Sequence, residues 1–191
     1  MMLLLILALM VVALRFWMHW YQPHRLNPGE DQSFDQEYTA QSLIIKHAVS
    51  ALIVTLMVTG WWWDGLQQRD VSVAEWLGLT MVLTGCGIRY WAIQTLGRHF
   101  TFELGLRGDH RLVTAGPYRW VMHPSYTGTM LVEGGMTLFF SQWLVGAVLM
   151  ISVVAFLYRR IRDEEAMLRD QFGAEFDRYR ASRARLIPGV I

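Results

Sequence analysis

Five stretches of the chain are almost continuously apolar: Met2–Met18, Leu43–Trp63, Val73–Leu96, Ser125–Phe140 and Trp143–Tyr158. The first three approach the roughly 20 residues that a spanning helix needs. The last two would rise about 25 Å each as helices. Only Ser141-Gln142 separates them, so they predict a tight antiparallel hairpin. The pattern predicts an all-α integral membrane protein with about five transmembrane helices, a helical hairpin near its C-terminus and a cytosolic tail helix.

Polar positions interrupt this pattern most densely at HRLVTAGPYRWVMHPSYTG, from His110 to Gly128. Irregular backbone at membrane depth is tolerated only where protein or a water-filled cavity surrounds it, which makes this stretch the place to look for a site. Pro117 and Pro124 each stand where a helix can begin. The residue before each proline is pushed toward extended geometry. Tyr118–Met122 therefore reads as one short turn, and His123 as a break before the fourth helix.

The tail beyond Tyr158 is helical again by its periodicity. At about 100° per residue, Ile161, Leu168 and Phe172 share a narrow stripe that includes Glu165, with Glu164 at its edge. Arg160 and Arg162 flank the stripe and Asp163 points away. A carboxylate on an apolar face must be paired, protonated or bound to a ligand. The competing expectation is a solvated helix end, with Glu165 paired to Arg169 four residues on. Past Gly173 the stripe resumes at Phe176 and Tyr179, which predicts a bend or a second segment there.

Composition agrees with a membrane chain: of 191 residues, 53% are hydrophobic and 17% charged. Positive charge fixes an orientation. Arg25, Arg98, Arg107, Arg111 and Arg119 lie in the connections after the first and third helices, and the tail is rich in arginine. The other two connections contribute only Arg69, so the N-terminus is expected outside and the tail in the cytoplasm. The first run lacks a basic start and a cleavage site, and Arg15 and several aromatics close it, as in an anchor. The residues 21–41 read as a surface connection of little chemistry. Arg183, Arg185 and Pro188 read as a basic tail of the kind that touches anionic lipid. The net charge of +1 says little about partners, and no basic-aromatic surface suggests nucleic acid. Gly and Ala in several helices permit self-association.

Candidate chemistries separate on spacing. The lone Cys86 excludes a disulfide framework or a thiolate cluster and reads as a packing residue. His19, His24, His47, His99, His110 and His123 show no pair at three- or four-residue spacing, so no preformed metal face is expected. There is no GxSxG, GxGxxG or GxxxxGK motif. Glu133, between Val132 and Gly134, reads as a carboxylate facing the bundle and satisfied by neighbours. His123-Pro124-Ser125-Tyr126-Thr127-Gly128 on its own reads more readily as a helix start with a capping histidine and a packing glycine than as a site. His110, the Gly116-Pro117-Tyr118 turn and the Glu164-Glu165 pair shift the reading toward a site.

The block LVTAGPYRWVMHPSYTG, then a hairpin, then RRIRDEEAMLRDQFGAEFDRYRASRARLIP, resembles the isoprenylcysteine carboxyl methyltransferase family, with phospholipid N-methyltransferases a wider cousin. The resemblance runs over about residues 97–188 and suggests a division into a three-helix membrane scaffold, 1–96, and a catalytic region, 97–191. It implies an integral membrane enzyme using S-adenosylmethionine in a cytosol-facing pocket, with a small lipophilic acceptor entering from the bilayer. By position, His110, Leu112, Val113, Gly116 and Tyr118 correspond to the cofactor segment. His123, Pro124, Tyr126 and Gly128 correspond to its Arg-His-Pro-x-Tyr-x-Gly element, and Glu164 and Glu165 to its paired acids. The resemblance implies that Glu164 and His123 hold the methionine end of the cofactor and that Arg160 and Glu165 orient the acceptor.

Two departures stand out. Met122 replaces the family arginine before His-Pro, and Phe176 replaces a tyrosine. Loss of that arginine questions a carboxylate acceptor. Membrane sterol and steroid reductases have a similar arrangement, and Arg162-Asp163-Glu164 fits them. Ser125 and Thr129 stand where those enzymes favour Asn and Glu, so a nicotinamide-dependent reductase ranks second. A membrane sensor or assembly protein that kept the fold and lost the chemistry is the third reading.

Overall fold

A computed structural model describes residues 2–20, 51–52, 54–62, 71–97 and 112–189. The described residues form helices and no strand: α1 (Met2–Trp20), α2 (residues 54–62), α3 (Val73–Leu96), a 3-10 turn (Gly116–Arg119), α4 (Pro124–Phe140), α5 (Trp143–Phe172) and α6 (Ala174–Ala181). One of them, α5, is long and apolar enough to cross a membrane, and α1 contains a shorter apolar stretch, Leu5–Trp17. The all-helical class stands on these elements; the count of five spans does not. The connection after α1 and residues 98–111, with His110, lie outside the described residues.

The proline breaks fall where the sequence puts them. Pro117 opens the 3-10 turn and Pro124 opens α4. Gly116 departs from the expected extended geometry, with φ of 56°. Ser141 adopts a left-handed turn and lets α5 fold back against α4. The expected tail helix is not a separate element. It continues the last apolar run as one helix of 30 residues, because no glycine or proline interrupts the chain between Tyr158 and Phe172. Gly173, with φ of 51° and ψ of −123°, then ends α5 and starts α6. That break is the one predicted there.

The core is a seam between α3 and α4, joined by residues of α1, α2 and α5. Four glycines bring the two backbones into contact. A Cβ on Gly85 would lie 2.6 Å from the Gly128 carbonyl oxygen, and one on Gly78 would lie 2.6 Å from that of Gly135. These glycines are therefore committed within the chain rather than offered to another copy. Val82, Val132, Met136 and Phe139 fill the space between them and Cys86 packs among them, as a small core residue should.

Two buried acids stabilise this bundle. Glu75 closes a capping box with Ser72 at the start of α3 and accepts from the Trp61 indole at 3.1 Å. Such a cap contributes about 1 kcal/mol. Glu133 of α4 meets Arg15 of α1 through two contacts of 3.1 and 3.0 Å. The bundle-facing reading of Glu133 holds. Arg15, expected to close an anchor, is instead a buried partner at 3% exposure.

Candidate active site

α4 begins at His123, whose backbone (φ −125°, ψ 60°) is outside the helical region and whose ring makes no capping hydrogen bond. The capping alternative for this histidine is thereby set aside. The ring stacks on Tyr126 with centroids 5.5 Å apart and faces the two acids of α5. Its Nε2 lies 3.5 Å from Glu165 Oε1, and its Nδ1 lies 3.8 Å from Glu164 Oε2. Both His123 Nε2 and Glu165 Oε1 are buried without a hydrogen-bond partner. The two atoms face each other without a bond of good geometry, and buried polar groups left so are uncommon and mark a candidate site.

Tyr126 links the second acid to a cation. Its hydroxyl donates to Glu164 Oε2 at 2.7 Å and accepts from Arg160 Nε at 2.8 Å. Arg160, Glu164 and Glu165 reach this point together because they lie within about one and a half turns of one helix, with Glu165 on the stripe and Arg160 flanking it. Glu165 is 6% exposed and Glu164 is half-buried, while Arg162 and Asp163 point outward. Arg162 sits over the Tyr158 ring instead. The surface alternative for Glu165 fails as well, since Arg169 pairs with Asp177, at 2.6 Å.

Three basic residues missed by sequence reasoning complete the cluster. Arg185 Nη2 lies 2.9 Å from Glu165 Oε2 and Arg180 Nε lies 3.5 Å from the same oxygen. Burial alone would raise the Glu165 pKa, but the facing His123 and the Arg185 guanidinium outweigh it and hold the carboxyl below its ordinary range. On the other side of α4, buried Arg89 of α3 donates to Ser125 Oγ at 2.6 Å. No spacing rule connects a basic tail to a carboxylate 20 residues upstream. Arg89 carried one usable signal, a charge inside an apolar run.

The remaining predicted positions form the surroundings. Pro124 and Tyr118 are buried, and the Tyr118 carbonyl accepts from the Tyr179 hydroxyl at 2.7 Å. Burial pushes the Tyr179 phenol up to about 12, so it stays a donor at neutral pH. Leu112 packs with Met122, Phe176 and Tyr179 beneath the loop, and Val113 is half-buried beside it. Met122, where the family has arginine, thus sits in an apolar nest. Gly116 faces Thr95, with room for no Cβ, and Gly128 faces Gly85 and Arg89 of α3 rather than the histidine.

The model of the isoprenylcysteine carboxyl methyltransferase (ICMT) family matches residues 76–170, which takes in His123, Tyr126, Arg160 and both acids. The chain is 32% identical over 156 residues to protein-S-isoprenylcysteine O-methyltransferase A of Arabidopsis thaliana, covering 78% of this chain and 77% of the relative. It is 31% identical to a probable protein-S-isoprenylcysteine O-methyltransferase of Oryza sativa subsp. indica over 59% of this chain, and spans only 60% of that relative. A solved structure of the eukaryotic intramembrane Ras methyltransferase ICMT matches with a TM-score of 0.65 and 26% identity, over 74% of this chain and 52% of that one.

Proposed function

This chain belongs to the isoprenylcysteine carboxyl methyltransferase family, and on that premise we propose that it is a multi-pass membrane enzyme transferring a methyl group from S-adenosylmethionine to a lipophilic acceptor. The observation that carries the reading is the buried, unpartnered pair of His123 Nε2 and Glu165 Oε1, enclosed by the Arg160–Tyr126–Glu164 chain. The five-span count, the outside N-terminus, the cytoplasmic tail and the scaffold (1–96) and catalytic (97–191) regions belong to the same proposal.

The donor set fits the cofactor. Its methionine end carries an ammonium and a carboxylate, and the site offers half-exposed Glu164 for the first and His123 for the second. The turn at Gly116, with Tyr118 buried behind it, would supply backbone for the remainder, together with His110, Leu112 and Val113. When bound, S-adenosylmethionine supplies a methyl group already activated on a sulfonium. The protein's task is then to bind, align and exclude water, which contributes up to roughly 7–11 kcal/mol in favourable cases.

Arg160, held by Tyr126, would orient the acceptor, with Glu165 beside His123 as its companion. A carboxylate or thiolate acceptor needs no base. For an amine, Glu165 Oε1 would take the proton released as the nitrogen–carbon bond forms. The relatives named above are methyltransferases of isoprenylated cysteine, so an isoprenylated cysteine is the first acceptor to try. The apolar setting of Met122 makes a hydrophobic thiol or an amino-lipid the next.

Calorimetry in detergent tests the reading. S-adenosylmethionine or its demethylated product should bind, and His123→Ala and Glu165→Gln should abolish methyl transfer while the protein still inserts and purifies. Normal transfer by both variants would remove the site assignment. Binding of a dinucleotide instead would favour the reductase reading.

A further inference from the structure

The segment that follows α6 crosses back over the loop carrying His123. Val121 and Ala184 form a parallel bridge. The Met122 N–H donates to the Ala184 carbonyl at 2.8 Å, and the His123 N–H donates to the Arg185 carbonyl at 3.0 Å. One turn into α4, the Thr127 hydroxyl donates to the Leu186 carbonyl at 2.6 Å. Arg185 therefore touches both halves of the orphaned pair: its main chain fixes His123 and its guanidinium engages Glu165.

We infer that residues 184–187 form a strap that is a wall of the site, and that Arg185 is the positioning residue for Glu165. The inference rests on the function proposed above. Arg185 occupies one carboxylate oxygen, Oε2, which turns the other, Oε1, toward His123 Nε2. That bond, with the facing His123, orients the carboxylate and favours its ionised form. Met122 and the rest of the apolar nest supply no charge for that purpose. A guanidinium is provided from the strap where the residue beside His123 provides none. Among the described residues, the charged or titratable groups against Glu165 are His123 from the start of α4, Arg180 from α6, Arg185 from the strap, and Glu164 with its Tyr126–Arg160 link alongside.

An exposed ion pair alone would be worth little, and the Arg185 side chain is partly exposed. Two features separate this contact from a surface pair: its acceptor is buried, and the strap's main chain is bonded to the loop at both Met122 and His123. A purely structural strap would lower stability on mutation and leave the titration of Glu165 alone.

The test compares Arg185→Ala, Arg185→Gln and Arg185→Lys with Arg183→Ala, an exposed neighbour just before the strap whose guanidinium donates to the Ser182 carbonyl. The readouts are S-adenosylmethionine binding, the pH profile of methyl transfer to an isoprenylated cysteine, and the infrared protonation band of Glu165, assigned by its loss in Glu165→Gln. Removing an opposite charge at this distance should raise the acidic limb and the infrared midpoint by about one pH unit, with Arg180 still in place. Transfer should fall about 10- to 100-fold, as small misplacements near a reacting centre do. Arg185→Lys should recover most of both, and Arg183→Ala should match the parent. If the alanine variant does not fold, the glutamine variant decides, because it keeps length and polarity and loses only the charge. An unchanged limb and midpoint in Arg185→Gln overturns the inference. Absence of S-adenosylmethionine binding in the parent overturns the proposed function instead, and the infrared midpoint still reports on Arg185 without it.

Discussion

Tyr126 shows how much one hydroxyl can organise. It donates a hydrogen bond to Glu164 and accepts one from Arg160, so a cation and an anion of α5 meet through a residue of α4. Tyr126→Phe keeps the ring stacked on His123 and removes that meeting point. Methyl transfer should drop at least about tenfold, since a charged hydrogen bond contributes about 1.5–3 kcal/mol. The unfolding temperature should move little, and a comparable loss of both would make the hydroxyl structural. Gly173 is the other position where a single residue decides. Its backbone lies where a side chain is strained, so Gly173→Ala should cost about 1–3 kcal/mol on thermal unfolding, although space around it is open.

At the scale of elements, the α3–α4 seam depends on hydrogen atoms where other residues carry methyl groups. Gly78 and Gly85 recur at seven residues on α3, and Gly128 and Gly135 recur likewise on α4. Gly85→Ala should destabilise the protein by about 1–3 kcal/mol in detergent through overpacking against backbone. Gly87→Ala, on the same helix with nothing near it, should gain about 0.5–1 kcal/mol. Opposite signs from two glycines two residues apart would confirm the seam by thermal unfolding alone. The sequence made the helices legible because prolines, glycines and the apolar period mark their ends locally. It placed Glu165 correctly for the same reason: its neighbours at three, four and seven residues reveal the stripe. It divided α5 wrongly, because composition changes at Tyr158 while the helical backbone does not.

Across the whole molecule, contacts distant in sequence were the hidden ones. Arg15 and Glu133 are 118 residues apart and nothing local announces their pairing. Each is fully enclosed, so removing one strands the other; Arg15→Ala or Glu133→Ala should each cost about 3–5 kcal/mol. The double replacement by apolar residues should cost much less, and equal costs for single and double variants would contradict the pairing. Arg185 was hidden by the same logic. Its segment has no periodicity, and its meaning depends on where the strap crosses the loop.

That crossing sets an order of events during synthesis. His123 and both acids are translated before Leu186, so a nascent chain arrested between Phe172 and Ser182 would hold these helices without the strap that crosses the loop. The strap is translated after the residues it crosses, which delays its closure until the bundle beneath it already stands.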